Sequence, residues 1–195
     1  MRTQDFMCTT CGRFHSTLPM CYGPAAPELW NQIAESGHLA QRALHHLRRF
    51  FDWRRLSSDQ CVIDTHYFVL GRVEIPVIGY VQPFAWLAWV SLSEKNFNRA
   101  PELWHMPGRE KEPPYFGWLS SALPYDPSTL NLKVNLHTRS VGERPLIELE
   151  PTEHPLAVEQ REGISLAKVQ QITERLIHGK FPSSGSQVTP ANRGG

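Results

Sequence analysis

Hydrophobic positions recur with two different spacings along the chain, and each spacing predicts a different element. In "LNLKVNLHTR" every second residue is apolar, which is typical of a strand with one buried face, and the following "LIELE" is expected to pair with it antiparallel. The segment "PFAWLAWVSLS" is apolar at both alternating positions and therefore predicts a central strand covered on both faces. Upstream, "QCVIDTHYFVLGRVEIPV" predicts two strands joined by a turn at Asp64–His66.

Other segments carry apolar residues at every third or fourth position and predict helices. "SLAKVQQITERLIHG" has such a stripe, with Ser165 as its N-cap and Gly179 at its end. Shorter helices are predicted for "APELWNQIAES" and for "EKNFNRAPELW", the latter capped by Ser93. The proline-rich stretch "PGREKEPPYFGWLSSALPYDP" is expected to be an ordered loop, because proline interrupts regular elements.

These elements predict one α+β domain with a mostly antiparallel sheet and flanking helices. Residues 1–24 are expected to form a zinc-knuckle-like segment that packs on the domain, which covers residues 25–179. Residues 180–195 have no apolar period and are predicted to be a disordered tail.

Charge and composition exclude several broad classes. The 195-residue chain has a formal net charge of +1, so no global field attracts nucleic acid or an anionic membrane. The longest apolar run, "FAWLAWV", is too short to span a bilayer, and the first residues lack the apolar core of a secretory signal. We therefore expect a cytoplasmic protein with no membrane partner. The usual phosphate-loop, dinucleotide, serine-hydrolase and zinc-protease motifs do not occur in the sequence.

The stretch "MCTTCGRFHSTLPMC" carries three of the four cysteines of the chain and predicts a metal site. Cys8 and Cys11 are separated by two residues, a spacing that presents both thiolates to one zinc ion from a tight turn. His15 is the expected third ligand, and either Cys21 or the more distant Cys61 would complete the site. The alternatives are thiols without a metal and a redox-active pair, although the flanking residues do not form the strand and helix that such a pair requires.

Polar residues of the strand pair form a second candidate site. His137, Arg139 and His154 are expected to approach one carboxylate, Glu148 or Glu150, in a pocket suited to an anion or to acid–base chemistry. The alternative interpretation is a solvated sheet face with ordinary cross-strand ion pairs.

The segment "HLAQRALHHLRRFFDWRR" predicts a basic amphipathic helix. Its basic residues, from Arg42 to Arg55, could contact phosphate groups of a nucleic acid or an acidic partner. The alternative is the solvated face of a surface helix, and one helix does not make a chain of this net charge a nucleic-acid-binding protein.

Motifs along residues 5–178 resemble a bacterial family of uncharacterised proteins, the domain of unknown function family 2199. The resemblance rests on "CTTCGRFH", "LSSDQCVID", "RVEIPV", "WVSLSEKNF", "EPPYFGWLS", "LHTRSVGERP" and "EPTEHPLAVEQREGI", which occur in the family's order. It implies that residues 38–53 are an insertion. It also implies that the cysteine of "QCVID" belongs to the family pattern, whereas Cys21 does not.

Loop closure slightly favours Cys21 as the fourth ligand, because a short loop costs less entropy, but the resemblance favours Cys61. A longer loop costs little additional entropy, about 0.6 kcal/mol for each doubling of its length. A structural ion also stabilises most when it joins distant segments. We therefore expect Cys8, Cys11, His15 and Cys61 to bind a structural Zn²⁺, in a protein that acts as a binding or regulatory module. The alternative is a small enzyme, for instance a hydrolase, with its pocket around residues 137–154.

Overall fold

The computed structural model describes residues 5–35, 54–57, 59–103, 105–179 and 188–190. The strands are β1 (Phe6–Met7), β2 (Phe14–His15), β3 (Cys21–Pro24), β4 (Arg54–Leu56), β5 (Gln60–Ile63), β6 (His66–Ile75), β7 (Phe84–Leu92), β8 (Tyr115–Leu119), β9 (Lys133–His137), β10 (Leu146–Leu149) and β11 (Val188–Pro190). The helices are α1 (Glu28–Glu35), α2 (Glu94–Leu103), α3 (Pro155–Glu162) and α4 (Leu166–Ile177), with a 3₁₀ turn at Arg109–Lys111. The predicted single α+β domain is confirmed.

The strands from β6 to β10 form a closed sheet. Antiparallel pairing runs from β6 to β7, β8, β9 and β10 in turn. A parallel pair between Leu146 and Arg72 then joins β10 back to β6 and closes the ring. The mostly antiparallel order agrees with the prediction, but its closure depends on a parallel contact that the alternating pattern does not reveal.

Gly71 allows the closed sheet to be narrow. A Cβ atom at this position would lie 2.8 Å from Cγ1 of Ile147, which is closer than packed carbon atoms allow, and 3.1 Å from Cδ1 of Leu136, which is tighter than most packed contacts. The interior is filled by buried apolar side chains, of which Trp86 is among the largest. Removing the side chain at position 71 therefore lets β6 approach the facing strands.

A smaller apolar cluster covers the outer face of β6 and β7. It contains Cys61, Ile63, Phe68, Leu70, Leu87 and Trp89, and it packs against Cys21 and the apolar side of α1, including Leu29, Trp30 and Ile33. The residues from Phe84 to Val90 are all buried, as predicted for a strand covered on both faces.

Two elements differ from the predictions in the proline-rich regions. β8 lies inside the predicted loop, with Tyr115, Gly117 and Leu119 buried and the residues between them exposed. The prolines flank this strand and do not interrupt it, so its hydrogen bonds can form. Helix α3 was not predicted; Pro155 occupies its first turn, where a missing N–H costs nothing, and His154 caps it.

Several predictions fall on residues that are described only in part. The predicted basic helix at residues 38–53 lies outside the described residues, whereas Arg54 and Arg55, assigned to the same helix by the sequence, belong to strand β4. In the predicted tail, Val188–Pro190 form β11 against β3, and the other tail positions beyond Gly179 are outside the described ranges. β3 itself pairs with β7, so the predicted N-terminal segment ends inside the main sheet.

None of the helices in the described ranges combines the length and the apolar character that a membrane span requires.

Candidate metal centre

Two cysteines lie on a tight turn between the short strands β1 and β2. The backbone N–H of Cys8 donates to the carbonyl of Arg13 at 2.9 Å, and that of Gly12 donates to the carbonyl of Cys8 at 2.9 Å. Gly12 has a φ of +68°, a left-handed conformation that glycine adopts without strain. The turn therefore brings Cys8 and Cys11 close together, with the first thiol buried and the second exposed.

Two histidines meet these cysteines, one from the turn and one from the end of α4. Sulfur and nitrogen atoms of Cys8, Cys11, His15 and His178 all lie within 4.8 Å of one another. Sγ of Cys8 is 3.1 Å from Nε2 of His178, and Sγ of Cys11 is 3.5 Å from Nε2 of His15. In a tetrahedral zinc site with two sulfur and two nitrogen ligands, neighbouring ligand atoms are about 3.3–3.8 Å apart. The observed spacing is therefore compatible with one shared ion.

Polar contacts join helix α4 to the turn that carries Cys8 and Cys11. Oε1 of the buried Glu174 accepts from the backbone N–H of Thr9 at 2.9 Å, and its other oxygen accepts from the Thr9 hydroxyl. Nε2 of Gln170 donates to the carbonyl of Met7 at 2.9 Å and to Glu174 at 2.8 Å. These bonds hold the last turn of α4 beside the cysteines.

The two imidazole rings are positioned by the elements around them. His178 is the C-cap of α4, with its backbone N–H bonded to the carbonyl of Glu174 at 3.1 Å. The ring of Phe6 stacks on His15, with centroids 5.1 Å apart and an angle of 20° between the planes. The two histidine rings meet edge to face at 6.3 Å. Contacts within the protein therefore contribute to the orientation of both rings.

The electrostatics of the turn favour negative charge on the first thiol. Burial raises the pKa of Cys8, but hydrogen bonds from the backbone of Cys11 and Thr10 and from the Cys11 side chain outweigh it, so the pKa lies below its usual value. Hydrogen bonds from the side chains of Thr9 and Gln170 and from the Thr9 backbone hold the pKa of Glu174 below its usual value. Backbone donors thus prepare the turn for a thiolate.

The fourth position of the cluster differs from the sequence prediction. Cys61 lies in β5, opposite Phe68 of β6, and is buried in the apolar cluster under α1. Cys21 lies half-buried in β3. Neither residue belongs to the Cys/His cluster, whose fourth member is His178. The apolar contacts of Cys61 keep it on the outer face of β6 and β7, so the fourth member of the cluster comes from the far end of the chain.

The second predicted site does not form as one cluster. Nε2 of His137 lies 2.7 Å from Oε2 of Glu148 at the surface, whereas Arg139 donates to Oε1 of Glu74 at 2.7 Å. Glu150, the other predicted carboxylate, pairs loosely with Lys133 at 3.9 Å.

His154 has a structural role at the start of α3. Its Nδ1 accepts from the backbone N–H of Leu156 at 3.1 Å, and its Nε2 lies 3.0 Å from the carbonyl of Pro127, to which it can donate. The expected common carboxylate is therefore not found among the described residues: the strand face, the β9–β10 loop and the cap of α3 place the three side chains beside different partners.

Sequence reasoning did not select His178. The residue lies 170 positions after Cys8, and "LIHG" shows only the end of a helix. The one usable signal is indirect: histidine next to a helix-ending glycine places an imidazole at a helix terminus, where it can reach a neighbouring segment.

A family model described as "Uncharacterized protein conserved in bacteria (DUF2199)" matches residues 7–164. No curated protein and no solved structure matches the chain. The matched range includes Cys8, Cys11 and His15, whereas His178 lies beyond it.

Proposed function

Since the chain belongs to the bacterial DUF2199 family, whose description names no chemistry, we propose on the geometry of the Cys/His cluster that the protein binds a structural zinc ion. The ligands are Cys8, Cys11, His15 and His178. The observation that carries the proposal is the convergence of four ligand atoms within 4.8 Å from two segments far apart in the sequence.

The donor set determines the class of metal. Two thiolates and two imidazoles suit Zn²⁺, whereas Mg²⁺ and Ca²⁺ prefer oxygen ligands. A site closed by four protein ligands leaves no open position for water or substrate, which is the arrangement of structural zinc. Of the metals that accept sulfur and nitrogen, zinc also has no redox chemistry that would oxidise the exposed Cys11. A reducing compartment such as the cytoplasm keeps both thiols available.

The ion would join the turn that carries Cys8 and Cys11 to the end of α4. Hydrogen bonds from Thr9 to Glu174 and from Gln170 to Met7 already bring these segments together. Metal ligation adds covalent-like bonds at the same place, so its free energy of binding contributes directly to the order of the N-terminal segment.

A surface on β8 supports a role as a binding module. Phe116 and Trp118 are 46% and 40% exposed and lie edge to face with centroids 5.4 Å apart. Adjacent exposed aromatic side chains on a strand are typical of surfaces that contact other molecules. The enzyme alternative has no comparable support, because its three candidate residues have separate partners.

Elemental analysis of the purified protein tests the metal site. We expect one equivalent of zinc in the wild type and in Cys21→Ser, and loss of zinc in Cys8→Ser and His178→Gln. Cys61→Ala should keep its zinc even if it lowers stability, because Cys61 lies outside the cluster. Full zinc content in His178→Gln together with loss in Cys61→Ala would show that Cys61 is the fourth ligand. The proposal would be overturned if the wild type holds no metal after incubation with zinc and removal of the unbound zinc.

A further inference from the structure

A group of arginines lies where the β9–β10 loop meets β6, remote in sequence from Cys8 and Cys11. Arg72 Nε and Arg139 Nη1 both donate to Oε1 of Glu74, at 3.1 and 2.7 Å. Arg144 Nε donates to Oδ1 of Asp59 at 2.6 Å. Two guanidinium groups therefore share one carboxylate oxygen, and the third is held by Asp59, the residue before β5.

The loop that carries two of these arginines is held by a buried side chain. Arg109, 6% exposed, donates to the carbonyl oxygens of Arg139 at 2.6 Å, Ser140 at 3.0 Å and Glu143 at 2.8 Å. The hydroxyl of Thr138 donates in return to the carbonyl of Arg109 at 2.9 Å. A loop with this many bonds to one buried cation positions its side chains before any ligand arrives.

The arginines keep donors that their carboxylate partners do not use. In the part of the chain that the structure describes, carboxylates engage Arg72 and Arg144 through Nε, which leaves their terminal nitrogens for another acceptor. Glu143 comes no closer than 3.6 Å to Arg139, and its side chain is half exposed, so it can move aside. The three arginine side chains are 30–37% exposed, which leaves them accessible to a small ligand.

A thiol lies on the same face of the sheet. Cys21 is paired with Ala85, which is paired in turn with Glu74, so these three residues form one row across β3, β7 and β6. Burial raises the pKa of Cys21, while the charges of Arg72 and Arg144 lower it in part. Both guanidinium groups therefore act on the thiol.

We propose that Arg72, Arg139 and Arg144 form a binding site for an oxyanion, a phosphate or carboxylate group, with Cys21 at its edge. Guanidinium groups bind such groups through paired N–H donors, and a site with several of them gives short, charge-assisted bonds. Without a ligand, the carboxylate of Glu74 supplies the negative charge between Arg72 and Arg139 that a bound oxyanion would otherwise supply. This site does not depend on the proposed metal.

Calorimetric titration with two probes, inorganic phosphate and malonate, tests the site at constant ionic strength. We expect saturable binding of at least one probe to one site, and the preferred probe distinguishes phosphate from carboxylate ligands. Arg139→Gln should weaken that binding about tenfold or more, since it removes a charged donor. Arg161→Gln is the matched control, because Arg161 donates to the carbonyl of Thr152 at an exposed position and should bind as the wild type does.

Glu74→Gln is expected to change the affinity for the probe in the opposite direction. Removing the competing negative charge should tighten binding several-fold, whereas a purely structural ion-pair network predicts no binding in any variant. The proposal is overturned if neither probe gives saturable heat, or if Arg139→Gln binds with the affinity of the wild type while circular dichroism shows that it is folded.

Labelling of Cys21 locates the bound anion. We expect the preferred probe at saturation to slow carbamidomethylation of the Cys21 peptide by iodoacetamide several-fold in the wild type, and to leave the rate in Arg139→Gln unchanged. An equal labelling rate with and without the probe in the wild type would place the anion elsewhere and overturn this assignment.

Discussion

The closed sheet and the Cys/His cluster are ordered by different kinds of interaction. In the closed sheet, side chains such as Trp86, Val73 and Ile147 are completely buried, and every strand pairs with neighbours on both sides. The cluster lies on strands of two residues each, with Cys11 exposed and Phe14 73% exposed. Its attachment to α4 depends mainly on polar contacts.

This difference predicts different responses to the same perturbation. Apolar burial stabilises the closed sheet at about 25 cal/mol for each Å² removed from water, with no need for a ligand. In the N-terminal segment, Phe6, Cys8 and Leu18 join the main core. The turn between β1 and β2 is itself exposed, so packing orders it only in part and the proposed metal would add to that order. Changes in the sheet should therefore affect the whole protein, whereas changes in the cluster should act locally.

The largest effect is expected for Trp86→Ala. The side chain is fully buried, and its Nε1 donates to the hydroxyl of Tyr125 at 3.1 Å, so the substitution leaves both a cavity and an unpaired hydroxyl acceptor. We expect a loss of about 3–5 kcal/mol in the free energy of unfolding, measured in urea. Trp118→Ala, at an exposed position, is the control and should change stability by less than about 1 kcal/mol. Equal losses in both would contradict the assignment of Trp86 to the core.

Removal of the proposed zinc ion should have the second largest effect. At free zinc 100-fold above its dissociation constant, binding stabilises the folded protein by about 2.7 kcal/mol, which a chelator would remove. Limited proteolysis should then cleave within residues 5–20 while the near-ultraviolet circular dichroism of the buried tryptophans persists. Collapse of that signal on chelation would show that the closed sheet also depends on the ion.

Glu174→Gln should have a smaller effect, confined to the cluster. The amide keeps the shape of the side chain but loses the charge that accepts from the backbone and hydroxyl of Thr9. Groups that orient metal ligands typically change affinity 10–100-fold when they are altered. We expect zinc affinity to fall about tenfold in a competition titration with a chromophoric chelator. Glu162→Gln, at an exposed position of α3, is the control and should leave the affinity unchanged.

The smallest effect is expected when residues 182–195 are deleted. The sequence predicts a dispensable tail, while the structure pairs Val188–Pro190 with β3 at the edge of the sheet. Three edge residues that include a proline contribute little, so we expect a loss of about 0.5 kcal/mol and a fall in Tm of about 1–2 °C. A fall of about 10 °C in a thermal scan would show that this strand is an integral part of the sheet.

Much of the fold could be predicted wherever the pattern is local. The alternation in β9, the doubly apolar β7 and the capped helix α4 each contain their own signal, and each agrees with the structure. β8 was missed because the surrounding prolines obscured a five-residue alternation. Helix α3 was not predicted, although its initial proline is well suited to a first turn.

The candidate metal site, too, could be predicted only where its residues are close together in the sequence. The sequence by itself determined Cys8, Cys11 and His15, because two residues between cysteines and a following glycine dictate the geometry of a turn over a few ångströms. Only the tertiary structure decided that His178 joins them, and that Arg72 and Arg144 lie near one half-buried thiol. Periodicity and spacing report on neighbours along the chain. Contacts between distant segments depend on how β3 and α4 pack around the closed sheet. The burial of apolar surface drives this packing, and because it is non-directional, no local pattern in the sequence specifies which distant residues meet.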